Sequence, residues 1–153
     1  MTLFFAFLIG VFAGLRALTP AAAIAWAVYL GWLKLQSPLS LIGSLPSVII
    51  LTLLAVGELV NDKLPKTPAR TAPPAFIARI VIGALAGACI AAGGGQGAIL
   101  GAVLGAIGAV AGTFGGYKAR TGLVKALGTR DIYIALLEDI VAVAGSLWIA
   151  SRF

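Results

Sequence analysis

The sequence contains no histidine and a single cysteine, Cys89. Without histidine there is no Ser–His or Cys–His nucleophilic pair, no His-based metal site and no imidazole pH switch. One cysteine excludes an internal disulfide, and its place in an apolar stretch marks it as inert packing. Neither a metal nor a cofactor is expected. Charge is scarce as well: 10% of the 153 residues are Asp, Glu, Lys or Arg, against roughly 25% in a soluble domain. Only five of them are acidic. A soluble protein would need a polar surface that these residues cannot supply.

What is abundant is apolar. Hydrophobic residues make up 61% of the chain, so the expected partner over most of the surface is the lipid bilayer. The length fits one domain, residues 1–153, lying wholly in the membrane. The net charge of +6 would suggest nucleic acid in a soluble protein. Here the basic residues gather in two stretches, which the positive-inside rule explains without a nucleic-acid partner.

The apolar run Leu3 to Leu15 lacks a basic n-region, and Arg16-Ala17-Leu18-Thr19-Pro20 is not a small-residue cleavage site. It reads as a retained membrane segment, not a signal peptide. Thr19 as N-cap with Pro20 at the first helical position opens a second segment ending near Leu33. A loop from Gln36 to Pro46 leads to a third, Ser47 to Asn61, which carries Glu58. Residues 62–75 hold Lys63, Lys66, Arg70 and four prolines, and read as a stiff extramembrane loop. Its Pro65-x-x-Pro68 has the form of a docking motif, but a plain loop is the much better explanation.

Segments four and five run from Phe76 to Ala92 and from Gly97 to Phe114. A second basic stretch follows, with Lys118, Arg120, Lys125, Arg130 and a short helix after Thr121. Segment six runs from Asp131 to Ala150. The expected fold is an all-α, polytopic transmembrane bundle of six helices, or five if the second is re-entrant. Several runs are shorter than the roughly 20 residues of an ordinary span. The two basic stretches lie on one face, expected to be the cytoplasmic face of a bacterial inner membrane.

Two patterns lie within the apolar segments. Gly97, Gly101, Gly105, Gly108 and Gly112 share one helix face on segment five, with Gly83 and Gly87 repeating the spacing on segment four. Small faces let membrane helices approach closely, within one chain or between subunits of a homo-oligomer. The second pattern is an internal repeat. Gly14-Leu15-Arg16-Ala17-Leu18-Thr19-Pro20 resembles Gly116-Tyr117-Lys118-Ala119-Arg120-Thr121-Gly122, and an acidic helix follows each. Halves of about 1–62 and 76–153 would be joined by the Pro-rich loop, as in duplicated transporters.

Glu58, Glu138 and Asp139 fall inside apolar segments, where an unpaired charge costs several kcal/mol. They should face the interior, with Arg16 and Arg120 as partners. Asp62 and Asp131 fall at segment ends, where water can reach them. Arg16, Arg120, Thr19 and Thr121 could hold an anion, aided by helix N-termini. Glu58, Glu138 and Asp139 could carry protons or a cation. The adjacent Glu138 and Asp139 would repel if both were ionised, which suits proton coupling. The same residues would serve equally as an ion-pair network that sets helix register.

Three motifs in order, Gly14 to Pro20, Glu58-Leu59-Val60-Asn61-Asp62-Lys63-Leu64-Pro65 and Leu137-Glu138-Asp139, resemble a family of bacterial membrane proteins known only as a domain of unknown function, DUF4126. The resemblance covers most of the chain. It implies a small polytopic membrane protein and no established activity. The expected function is therefore a small transporter or channel-like protein for an anionic solute or lipid headgroup. The alternative is a non-transporting scaffold that packs through its glycine faces. No nucleophile–base pair is visible, so an enzyme is not expected.

Overall fold

The structure is a computed structural model that describes residues 1–64, 67 and 69–153. Pro65, Lys66 and Pro68, and with them the Pro-x-x-Pro motif, lie outside the described residues. Among the described residues there are six α-helices and no strand. They are α1 (Thr2–Leu15), α2 (Leu18–Tyr29), α3 (Leu45–Asn61), α4 (Pro73–Gly93), α5 (Ala98–Leu127) and α6 (Asp131–Ala150), with a 3-10 turn at Leu39–Gly43 between α2 and α3. Proline sits in the first turns of α3 and α4, where its missing N–H leaves no bond unmade.

Three helices, α4, α5 and α6, are long and apolar enough to cross a membrane. The others have 14, 12 and 17 residues. At about 1.5 Å per residue, α2 is only about 18 Å long, well short of a hydrocarbon core of about 30 Å.

Helix ends differ from those read in the sequence: α2 stops at Tyr29 and not near Leu33, and α4 begins at Pro73, inside the stretch read as a loop. Two further differences bear on the charged residues. The basic stretch after Phe114 is not a turn with a short Thr121-capped helix; α5 runs unbroken to Leu127. No proline interrupts it, and Lys, Ala, Arg and Leu sustain helix past Gly115-Gly116, whose cost of about 1 kcal/mol each does not break a helix packed on its neighbours. It ends at Gly128, in the left-handed conformation at φ +59° that glycine adopts without strain. The second copy of the internal repeat therefore contains no turn. Likewise, α2 begins at Leu18 with Ala17 at its N-cap, so Thr19 is inside the helix and caps nothing.

The bundle is small-residue inside and large-residue outside. Its buried residues include many alanines, while Leu53, Ile77, Val81, Ile99, Ile107 and Ile140 are exposed. The tightest packing joins α1, α4 and α5. A Cβ at Gly105 would meet the Gly83 carbonyl, at Gly101 the Gly87 carbonyl, at Gly108 that of Phe7 and at Gly112 that of Val11. The glycine face of α5 thus lies against the backbones of α1 and α4 in the same chain. One end of the bundle is closed by an apolar core around Phe5, Ile24, Leu33, Ile90 and Ile149. Charges fill the other end.

The close approach is testable with two alanines on one helix. Gly105→Ala is expected to lower stability by about 1–3 kcal/mol through overpacking. At Gly115 an added Cβ meets nothing within 4 Å. Gly115→Ala should therefore leave stability unchanged or raise it by up to about 1 kcal/mol. Thermal unfolding of both variants in detergent checks the contrast.

Candidate functional site

The chain turn between α1 and α2 is the centre of the charged end. Two unsatisfied helix ends meet there, the last carbonyls of α1 and the first N–H groups of α2. Other helices satisfy both. Arg79 of α4 donates from Nη1 to the carbonyls of Gly14 at 2.7 Å and Leu15 at 3.0 Å. Glu58 of α3 accepts from the N–H groups of Ala17 at 2.9 Å and Leu18 at 2.8 Å. A cation at a helix C-terminus and an anion at an N-terminus also suit the helix dipoles. Glu58 takes the capping place expected of Thr19. Its ion pair is with Arg79, at 4.0 Å, and not with Arg16 or Arg120.

Arg16 is fully buried in the same turn. Its Nε donates to Asp139 Oδ1 of α6 at 2.6 Å. Its Nη2 lies 2.7 Å from Asp62 Oδ2, within ion-pair distance but outside hydrogen-bond geometry, and Nη1 has no partner. Asp139 also binds Lys63. Arg120 of α5 forms a two-pronged pair with Asp131, at 2.8 and 2.5 Å, and reaches Asp62 at 3.0 Å and Glu138 at 3.6 Å. Arg70 grips Glu138 with both Nη atoms, at 2.5 and 2.7 Å.

Among the described residues the outcome is a network of five acids and five bases, the Glu58–Arg79 pair being joined to the rest through the backbone of the α1–α2 turn. It contains every acidic residue of the protein. Arg16, Arg120, Glu138 and Asp139 come together as the sequence suggests. Glu138 and Asp139 do not share partners: one is held by Arg70 and Arg120, the other by Arg16 and Lys63. Asp62, at the end of α3, lines an open cavity and is at the same time a hub between Arg16 and Arg120. Asp131 is exposed yet ion-paired.

The two threonines do not act as caps. Thr19 is buried with an unpartnered hydroxyl. Thr121 bonds back to the carbonyls of Tyr117 and Lys118 inside α5. Lys63, Arg70 and Arg79 join the network without having been singled out as site residues. Arg79 had a signal, as a lone guanidinium one turn inside an apolar helix. Asp62 had one too, four residues after Glu58 and so on the same helix face.

An open cavity of about 410 Å³ lies against the network. Lys63, Arg70, Arg120, Asp62, Tyr117 and Thr121 are among its walls. Among the described residues no group of acids and cysteine could hold a metal ion. What the arrangement can do chemically is exchange partners: an anion entering the cavity can compete with Glu138, Asp62 or Asp139 for a guanidinium or ammonium.

A family model described as a domain of unknown function (DUF4126) matches residues 3–151. The chain belongs to the DUF4126 family. No curated protein and no solved structure is significantly similar to it. The charge network, from Arg16 to Asp139, lies wholly within the DUF4126 match.

Two predictions follow from the pairing of this DUF4126 member. Arg16→Met leaves Asp62 short of a cation and Asp139 with Lys63 alone, and should cost about 3–5 kcal/mol, as for a broken buried pair. Lys118, exposed and outside the network, should tolerate the same change within about 0.5 kcal/mol. Chemical denaturation in detergent micelles compares them. The second prediction concerns acid. Burial alone would raise the Asp62 carboxyl, but Arg16 and Arg120 outweigh it and hold it below its ordinary value of 3.8. A depressed folded value stabilises above the unfolded one and is lost as pH falls through the folded one. Unfolding temperature should therefore fall with pH below about pH 4, and Asp62→Asn should flatten that limb.

Proposed function

We propose that this DUF4126 member is a small multi-pass transporter or channel-like protein of the bacterial inner membrane, handling an anionic group at the charged end of its bundle. The observation that carries this reading is the cavity walled by Lys63, Arg70 and Arg120, with each cation already tied into a buried network. Such cations can bind an incoming anion by exchanging a carboxylate for it. An anion that takes the place of Glu138 on Arg70, or of Asp139 on Lys63, would free that carboxylate, and proton coupling would act through this exchange. Neither group acts on a covalent bond, and no enzymatic step is proposed.

Six spans is part of this proposal. Contacts support alternating helix directions: Gly14 lies by Thr113, Gly87 by Gly101, and Gly145 by Phe12. All charges of the network then lie at one end, with Met1 and Phe153 at the other, beside Phe5. The shortfall of α1, α2 and α3 is met by local thinning of the bilayer around them. The network end, with exposed Lys118, Lys125 and Arg130, is assigned to the cytoplasm.

One observation favours a second reading. All five acids are paired, as expected of a static scaffold. The glycine face of α5 is occupied within the chain, so a partner or a second copy would meet the exposed Leu and Ile of α3 or α6 instead.

Flux into reconstituted liposomes separates the two. The transporter reading expects uptake of at least one anion from a panel, stimulated by a pH gradient and largely lost in Arg70→Gln. Absence of flux for every anion, with lipid movement between leaflets also absent, establishes the scaffold.

A further inference from the structure

The wall of the bundle between α3 and α6 is not closed. Both helices pack on α2, and among the described residues they make little contact with each other. The gap is an apolar groove of about 200 Å³. Ala22 and Ala23 of α2 form its floor, with Ala55 and Leu59 of α3 on one side and Val143 and Leu147 of α6 on the other. Trp26 stands at the end away from the charges, donating from Nε1 to Thr52 Oγ1 at 3.0 Å. Thr19 stands at the charged end, its buried hydroxyl without a partner.

One turn beyond Leu59 and Val143 stand Lys63, two residues past the end of α3, and Asp139 of α6. Their ion pair crosses the gap. Beyond that pair lies the charged cavity, walled by Lys63, Arg70 and Arg120 and by the carboxylates Asp62 and Asp131. Along the bundle the order is therefore apolar groove, lone hydroxyl, ion pair, charged cavity. An anionic phospholipid has the same order of acyl chain, ester and charged headgroup. The groove opens beside the exposed Val56 and Ile140, on a surface whose neighbours in a bilayer are lipid chains.

We infer that groove and cavity are two parts of one site for an anionic phospholipid, with one acyl chain between α3 and α6, the headgroup among Lys63, Arg70 and Arg120, and the Lys63–Asp139 pair as the latch between them. This deepens the anion reading above and rests on it for the headgroup part. It names the substrate class and a lateral route into the cavity. The groove has room for part of one chain, and the small side chains of α2 and Ala55 are what create that room. The latch must part for a headgroup to pass, and the released Lys63 is then free to pair with the phosphate.

Trp26 supplies the probe. In the full chain carrying Trp32→Phe and Trp148→Phe, Trp26 is the one remaining indole. This protein is reconstituted in liposomes containing phosphatidylglycerol or phosphatidylcholine with brominated acyl chains. Brominated phosphatidylglycerol should half-quench Trp26 at about a fivefold lower mole fraction than phosphatidylcholine, the preference expected of one engaged cation. Ala55→Leu should weaken quenching by both lipids, and Lys63→Gln should abolish the preference alone. Equal quenching by the two lipids overturns the proposal. So does weak quenching by both with cross-linking of two chains through Cys substitutions beside the groove, which would mean that a second copy fills it. The lipid comparison needs neither groove variant, so a variant that fails to fold leaves the test standing. Selective quenching without anion flux keeps this site and removes transport. Flux of a soluble anion without selective quenching keeps transport and removes this site.

Discussion

Charge in an apolar bundle must be met by opposite charge, and in this protein that requirement converges on the five-residue turn from Gly14 to Leu18. The turn brings four unmet backbone groups and a fully buried guanidinium to one place. They are answered from three other helices: Arg79 from α4, Glu58 and Asp62 from the end of α3, Asp139 from α6. Arg120 of α5 then ties Asp62 to Asp131 and Glu138. The relative positions of six helices at this end are thereby set by ionic contacts that tolerate little sliding, because a carboxylate moved away from its cation would be left bare in a low dielectric.

The rest of the bundle depends on that end being fixed. Elsewhere the interior is mostly alanine and glycine, which offer little area to bury and few interlocking shapes. In lipid, burying apolar side chains yields little, so close backbone contact must hold the helices together. The α1–α4–α5 core achieves this where Gly10, Gly14, Gly83 and Gly87 meet Gly101, Gly105, Gly108 and Gly112. The large residues removed from the interior are found outside. Where this close packing stops, between α3 and α6, a groove remains.

Much of this was legible in the sequence. Periodic apolar runs bounded by Pro and Gly located all six helices, and the regular spacing of the α5 glycines indicated a close contact. Carboxylates inside apolar runs are rare enough that Glu58, Glu138 and Asp139 stood out. What misled was local chemistry read in isolation. Thr19-Pro20 has the form of a helix start, but a carboxylate from α3 caps that helix instead, one residue and forty positions away from where a capping rule looks. Lys118 to Arg130 has the composition of a loop, yet its charges face outward or pair with Asp131 and Asp62, so helix persists. Asp62, just past the end of α3, reads as wet and does line the cavity, but its sequence position does not show that Arg16 and Arg120 converge on it.

The shared weakness of those readings is that they assign a charge to the segment carrying it. In a bundle this small, a charge belongs to the junction it reaches. Asp139 illustrates the consequence. On its own helix it is a carboxylate two turns inside an apolar span; at the junction it joins the buried Arg16, which holds the α1–α2 turn, to Lys63, which borders both the cavity and the groove. Its two partners differ in kind. Arg16 has no route to solvent, whereas the Lys63 side chain is 23% exposed and flexible. A negative group that displaces Asp139 from Lys63 leaves the Arg16 pair in place, so the structural bond and the exchangeable bond meet on one carboxylate. That asymmetry lets a single network both hold the helices and yield at one point, and the yielding point is where α3 and α6 are already apart.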